Sequence, residues 1–175
     1  PHHPITRNAS TAMVNPLLDA SVPAALPAYG SVQPAHVTPA VSALLAQAEE
    51  ALEMAAGPEV PPDYDAMSAV LDVAIERLQR AWGAVGHLNA VADTPALRAA
   101  YNDNLPTVTE FFTKLGADER LFAKYKNMAA APSAQALSAP RRKVLENALR
   151  DFVLSAGQLQ GAARERFAQI QAQAA

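Results

Sequence analysis

The sequence predicts an all-α fold, an irregular bundle of antiparallel helical hairpins preceded by a proline-rich extended arm. Three observations carry this. Apolar residues recur every three or four positions through most of the chain after residue 37. Helix-start pairs of a capping residue followed by proline stand at Thr38-Pro39 and Thr94-Pro95, with Ser138-Ala139-Pro140 a close variant. No stretch of useful length alternates apolar and polar residues as a strand would.

The chain has 175 residues, enough for one domain with a sizeable core. Half is apolar but only 6% is aromatic, and much of the apolar half is alanine, which favours helix and lets backbones approach closely. Fourteen basic against 17 acidic residues leave a net charge of -3, which argues against a nucleic-acid partner. There is no cysteine, hence no disulfide framework and no thiolate chemistry, in keeping with a reducing cytoplasm. No apolar run of about 18 residues is present, so no membrane partner is expected.

Residues 1–37 read as the arm. Prolines 16, 23, 27 and 34 prevent a helix of useful length, and Leu17, Leu18, Val22, Leu26 and Tyr29 suit a segment lying along a surface. Pro1-His2-His3 does not look like a translation start; residues 1–12 are either a tag or a pre-sequence, and Met13 offers a natural start. Residues 38–175 read as a helical N-terminal domain of a larger protein, cut within its last helix.

Thr38 and Pro39 open the first helix, with an apolar stripe of Val41, Leu44, Leu45, Ala48 and Leu52 and a wet side of Glu49, Glu50 and Glu53. Gly57-Pro58 stops it. The stretch from Asp63 to Val91 reads as one long helix, capped by Asp63, and as the rod around which the others are organised. Its stripe is Met67, Val70, Leu71, Ala74, Leu78, Trp82, Val85 and Asn89, while Arg77, Gln79 and Arg80 fall off that face. Gly83 and Gly86 predict a bend or an end near there. A short helix with Leu97, Ala100 and Tyr101 follows, and Pro106 marks a kink or a second start before Val108, Phe111, Phe112 and Leu115. Asp118 caps a helix with Leu121, Tyr125 and Met128 inside, and residues 129–137 read as a small-residue loop. The next helix buries Leu145, Leu149 and Phe152 and crowds Arg141, Arg142 and Lys143 at its positive end, which calls for acidic tertiary partners. The last, from Ala162, carries Ala163, Phe167, Ile170 and Ala174 on one face and shows no stop signal before Ala175.

No catalytic or metal-ligating set emerges from these residues, and no substrate-binding residue can be singled out. Two histidines four apart on a helix with a glutamate between would reach one zinc ion, but His2, His3, His36 and His87 have no such spacing. His87 reads as closing backbone groups near a helix end, His36 as structural or exposed, and the glutamates 49, 50 and 53 as a solvated face. Trp82 reads as core. No nucleophile elbow and no phosphate-cradling glycine loop is present.

Several segments taken in order resemble one family. They are Asn15-Pro16-Leu17-Leu18, His36-Val37-Thr38-Pro39-Ala40-Val41, His87-Leu88-Asn89-Ala90-Val91, Leu97-Arg98-Ala99-Ala100-Tyr101 with Leu105-Pro106, and Glu146-Asn147-Ala148-Leu149-Arg150-Asp151-Phe152 with Leu154-Ser155. Together they resemble the zinc oligopeptidases of the oligopeptidase A and thimet oligopeptidase family, on its bacterial oligopeptidase A side. The resemblance implies a cytoplasmic zinc metallopeptidase that hydrolyses short peptides. It implies that this chain is a non-catalytic helical region forming part of the substrate-channel wall. Zinc and its HExxH ligands would belong to the remaining catalytic portion of the polypeptide, this stretch holding no cofactor of its own and being inactive alone. The competing reading is a free-standing α-helical interaction or regulatory module.

Overall fold

The computed structural model describes residues 15–19 and 26–155 together with the helical positions 163, 165, 166, 169 and 170. Among these the fold is all-α, with no strand. Two 3-10 turns, Pro16–Leu18 and Tyr29–Ser31, lead into α1 (Pro34–Ala56). The chain continues as α2 (Tyr64–Met67), a π-helical turn (Ser68–Asp72) and α3 (Val73–Val91). Then come α4 (Pro95–Gly116), α5 (Glu119–Ala130), a 3-10 turn (Pro132–Ala136) and α6 (Ala139–Leu154).

The central element is α1 rather than the long helix that the sequence favours. It packs on α3, α4, α5, the π-helical turn and the Pro16–Leu18 turn. Its buried set runs from His36 and Val37 through Leu44 and Leu52 to Ala55. Alanines 40, 48, 51 and 55 on that surface let neighbouring helices approach closely, while Leu44 and Leu52 fill the space between them. Each such leucine contributes about 1.5–3 kcal/mol on burial. The stripe expected for the long helix does face inward, with Met67, Leu71, Leu78 and Val85 buried. The wide turn at Ser68–Asp72 accommodates an extra residue within the helix. It lies between Met67 and Leu78, which both remain buried.

Side-chain caps at Asp63, Thr94 and Asp118 form as the sequence predicts. Asp63 Oδ1 accepts from the Ala66 N–H at 3.0 Å, and Thr94 Oγ1 from the Leu97 N–H at 3.2 Å. Thr38, by contrast, is no cap, because α1 begins four residues earlier, at Pro34. The Gln33 N–H donates to His36 Nδ1 at 3.1 Å, and Asn15 Nδ2 donates to the His36 carbonyl at 2.8 Å. These bonds fix the start of the helix from outside it. Thr38 then lies inside the helix, where its hydroxyl accepts from Asn104 Nδ2 of α4 at 2.8 Å.

Pro39 and Pro106 are both carried within helices. Each is exposed, as are Ala35 and Asn102, whose carbonyls lose the proline's N–H, so water can serve them. Neither Gly83 nor Gly86 ends α3, which runs on to Val91. Here the Tyr101 ring lies 3.8 Å from where a Cβ on Gly86 would stand, and it stacks on Trp82 with centroids 4.7 Å apart and planes 7° apart. That stack joins α3 to α4 and is worth about 0.5–1.5 kcal/mol beyond area burial. Residues expected to be loop form the end of α5 and the Pro132–Ala136 turn. Phe152 of α6 meets Phe122 and Tyr125 of α5 at 5.5 and 5.6 Å between centroids.

Candidate functional site

A cleft of about 550 Å³ opens where the arm crosses the bundle. One wall is the arm, with Pro16, Leu17, Leu18 and Asp19 on one stretch and Leu26, Pro27 and Ala28 on another. Leu44 of α1 lies at its base, and the opposite wall is a face of α3 carrying Val73, Ala81 and Ala84. Four charged residues, Asp72, Glu76, Arg77 and Arg80, share that wall. Asp72, at the end of the π-helical turn, leads into α3, where Glu76 and Arg80 stand four apart and Arg77 and Arg80 three apart; Arg77 and Arg80 are two of the residues that the sequence separates from the apolar stripe. The Arg77 guanidinium is held across the helix pair by Gln47, whose Oε1 accepts from Nη1 at 2.9 Å. Two large apolar side chains stand open at the cleft, Leu26 at 87% and Val73 at 56% exposure.

The wall nearest the arm is anchored from the sequence's own signals. Asn15 Oδ1 accepts from the Leu17 N–H at 3.1 Å and caps the short turn, which pushes Leu17 into the core. Its amide nitrogen reaches the His36 carbonyl, so one side chain joins the arm to α1. His36 is 9% exposed. Its Nδ1 accepts the Gln33 N–H, while Nε2 is buried and finds no hydrogen-bond partner. The sequence left two readings open, structural or exposed; His36 is buried and bonded to the start of α1.

Elsewhere on α1, a charged cluster ties it to α5. Arg120 of α5 forms a two-pronged pair with Glu53 of α1, at 2.8 and 2.9 Å, and a third bond to Asp118 Oδ2 at 2.7 Å. Asp118 also caps α5 through the Arg120 and Leu121 N–H groups at 2.9 and 3.2 Å. Burial alone would push the Asp118 carboxyl up, but the Arg120 guanidinium and the two N–H groups outweigh it and hold it below its ordinary value. The Arg120 hydrogen bond likewise lowers the Glu53 carboxyl. One turn on, Lys124 Nζ donates to the carbonyls of Gly57 and Val60 and closes the connection between α1 and α2. Burial lowers its pKa. The Tyr125 hydroxyl is pushed up by burial, with Asp72 and Tyr64 adding to the effect.

Of the residues weighed in the sequence, Glu49, Glu50 and Glu53 lie on an exposed face, but Glu53 is engaged by Arg120 and Lys114. His87 does not close the helix end, since α3 continues past it; it is exposed and lies against Tyr29 with centroids 5.1 Å apart. Trp82 is half-buried against Tyr101. Arg141 finds the acidic partner its position demands, Asp65 at 2.8 Å, and lies over the Tyr64 ring at 5.1 Å. Lys143 pairs with Glu146 at 3.4 Å, while Arg142 donates to the Gln135 carbonyl. His2, His3, Val22 and Phe167 lie outside the described residues. Lys124 carries no signal in the sequence, and the cleft only the polar row of Arg77 and Arg80.

These groups do not fit a zinc site. Among the described residues no three histidine, aspartate or glutamate side chains converge as metal ligands, and the one buried histidine has a ring nitrogen committed to a backbone N–H. No described helix is long and apolar enough to cross a membrane. What the described residues define is an all-helical fold with a cleft of apolar contacts and mixed charge.

Comparison with known proteins identifies that class. Residues 41–164 match the model of the neurolysin/thimet oligopeptidase N-terminal domain, and the chain belongs to that family. It is 33% identical over 158 residues to oligopeptidase A of Salmonella typhimurium and, to the same extent, to oligopeptidase A of Escherichia coli. Each match covers 90% of this chain and 23% of the relative. A probable cytosolic oligopeptidase A of Arabidopsis thaliana is 34% identical over 145 residues, 83% of this chain and 20% of the relative. The chain therefore spans about a quarter or less of the length of these relatives.

Proposed function

We propose that this chain is the non-catalytic N-terminal helical region of a cytoplasmic zinc oligopeptidase, and that it forms part of the wall of the channel through which short peptides reach the zinc. The observation that carries this reading is the family match over residues 41–164, joined to alignment with less than a quarter of each bacterial oligopeptidase A. The catalytic portion would be its partner in the same polypeptide and would supply the zinc, its ligands and the base. This region's own contribution is shape. A rigid set of helices centred on α1 can bound a passage without touching the reacting atoms.

The test begins with the coding sequence. It should continue for several hundred codons beyond residue 175 and include an HExxH motif with a downstream glutamate. The full-length protein should then cleave a quenched fluorescent short peptide, lose activity to a chelator and regain it with zinc, while residues 1–175 alone stay inactive. A stop codon soon after residue 175 overturns the peptidase reading and leaves an interaction module. The wall role is tested separately, by cross-linking a photoreactive peptide substrate to the active full-length enzyme. Labelled fragments should include positions from this region. Labelling confined to the catalytic portion refutes the wall role while leaving the peptidase assignment intact.

A further inference from the structure

No further inference is drawn: the strongest candidate, the cleft between the Pro16–Leu18 turn and the Val73–Ala84 face of α3, is lined by Asp19 and Leu26, which flank a segment outside the described residues, so nothing in the structure shows what covers it.

Discussion

Replacing Asp118 separates two contributions that one carboxylate makes. As the cap of α5 it accepts the Arg120 and Leu121 N–H groups, and as a charge it receives the Arg120 guanidinium at 2.7 Å. Its side chain is only 7% exposed, so solvent does little to replace either contribution. Asp118→Ala leaves those N–H groups without their acceptor, a loss of about 1–2 kcal/mol. For a chain of this size that lowers Tm by about 2–8 °C. Asp118→Asn keeps an acceptor at the cap and removes the charge, so it should lose less than Asp118→Ala at pH 7. The pH dependence follows from the lowered folded-state pKa of Asp118. The stability it contributes is fully present above the unfolded value of about 3.9 and is lost as pH falls through the folded value. Urea unfolding of wild type and Asp118→Asn from pH 7 down to pH 2.5 reads this directly. The gap between them should be constant above about pH 5 and should close below pH 4. A gap that stays unchanged across the acid range, or an Asp118→Ala variant as stable as wild type, refutes the assignment of Asp118 as a charged cap.

The other side chains predict a graded series. Lys124→Met should cost about 1–3 kcal/mol, because the Gly57 and Val60 carbonyls lose their donor, and exchange of amides at residues 57–63 should quicken. Leu52→Ala, at a fully buried position of α1, should cost about 2–5 kcal/mol in urea unfolding and exceed every polar variant. Asn15→Ala should cost roughly 1 kcal/mol and speed amide exchange at Leu17, whose N–H bonds to the Asn15 side chain. Unchanged exchange there would remove Asn15 as the anchor of the arm. Arg141→Ala, whose ion pair with Asp65 lies at the surface, should change stability by less than about 1 kcal/mol, with the effect shrinking in high salt.

What could be read in the sequence follows from the range of the physics involved. Helical faces are local, so the stripes of α1, α3 and α6 stand where periodicity puts them, and Leu44, Leu78 and Leu145 are buried. Side-chain caps within three residues, at Asp63, Thr94 and Asp118, are local too. The start of α1 was not legible, because the groups that fix it include Asn15, which bonds to His36 from 21 residues away. The cap signal at Thr38 was overridden, and its hydroxyl went to Asn104, 66 residues on. The same limit hid Lys124, whose partners stand 67 and 64 residues away. Arg141 is an instructive middle case. Its position at a helix start demanded a carboxylate, but only the fold could choose Asp65. The cleft was half legible: Arg77 and Arg80 fell off the apolar face, while the arm that completes it gave no periodic signal.

Where the domain begins also follows from burial. The family match starts at Val41, seven residues into α1. Yet Val37 and Ala40 are fully buried, Leu17 reaches the same core from the arm, and His36 holds the first turn in place. A chain beginning at residue 41 would remove these side chains from a helix that packs on α3, α4, α5, the π-helical turn and the Pro16–Leu18 turn. It would also leave the amides that open the shortened helix without the Gln33 and Asn15 groups that now fix its start. Removing the Val37 side chain alone forfeits about 1.5–3 kcal/mol of burial, a large share of the 5–15 kcal/mol by which proteins of this kind are stable. Leu17, His36, Val37 and Ala40 are therefore part of the same buried core as the residues that follow Val41. Deletion to residue 41 should lower the unfolding midpoint far more than deletion to residue 14. Equal midpoints for the two truncations would show that the arm and the first turns of α1 are dispensable.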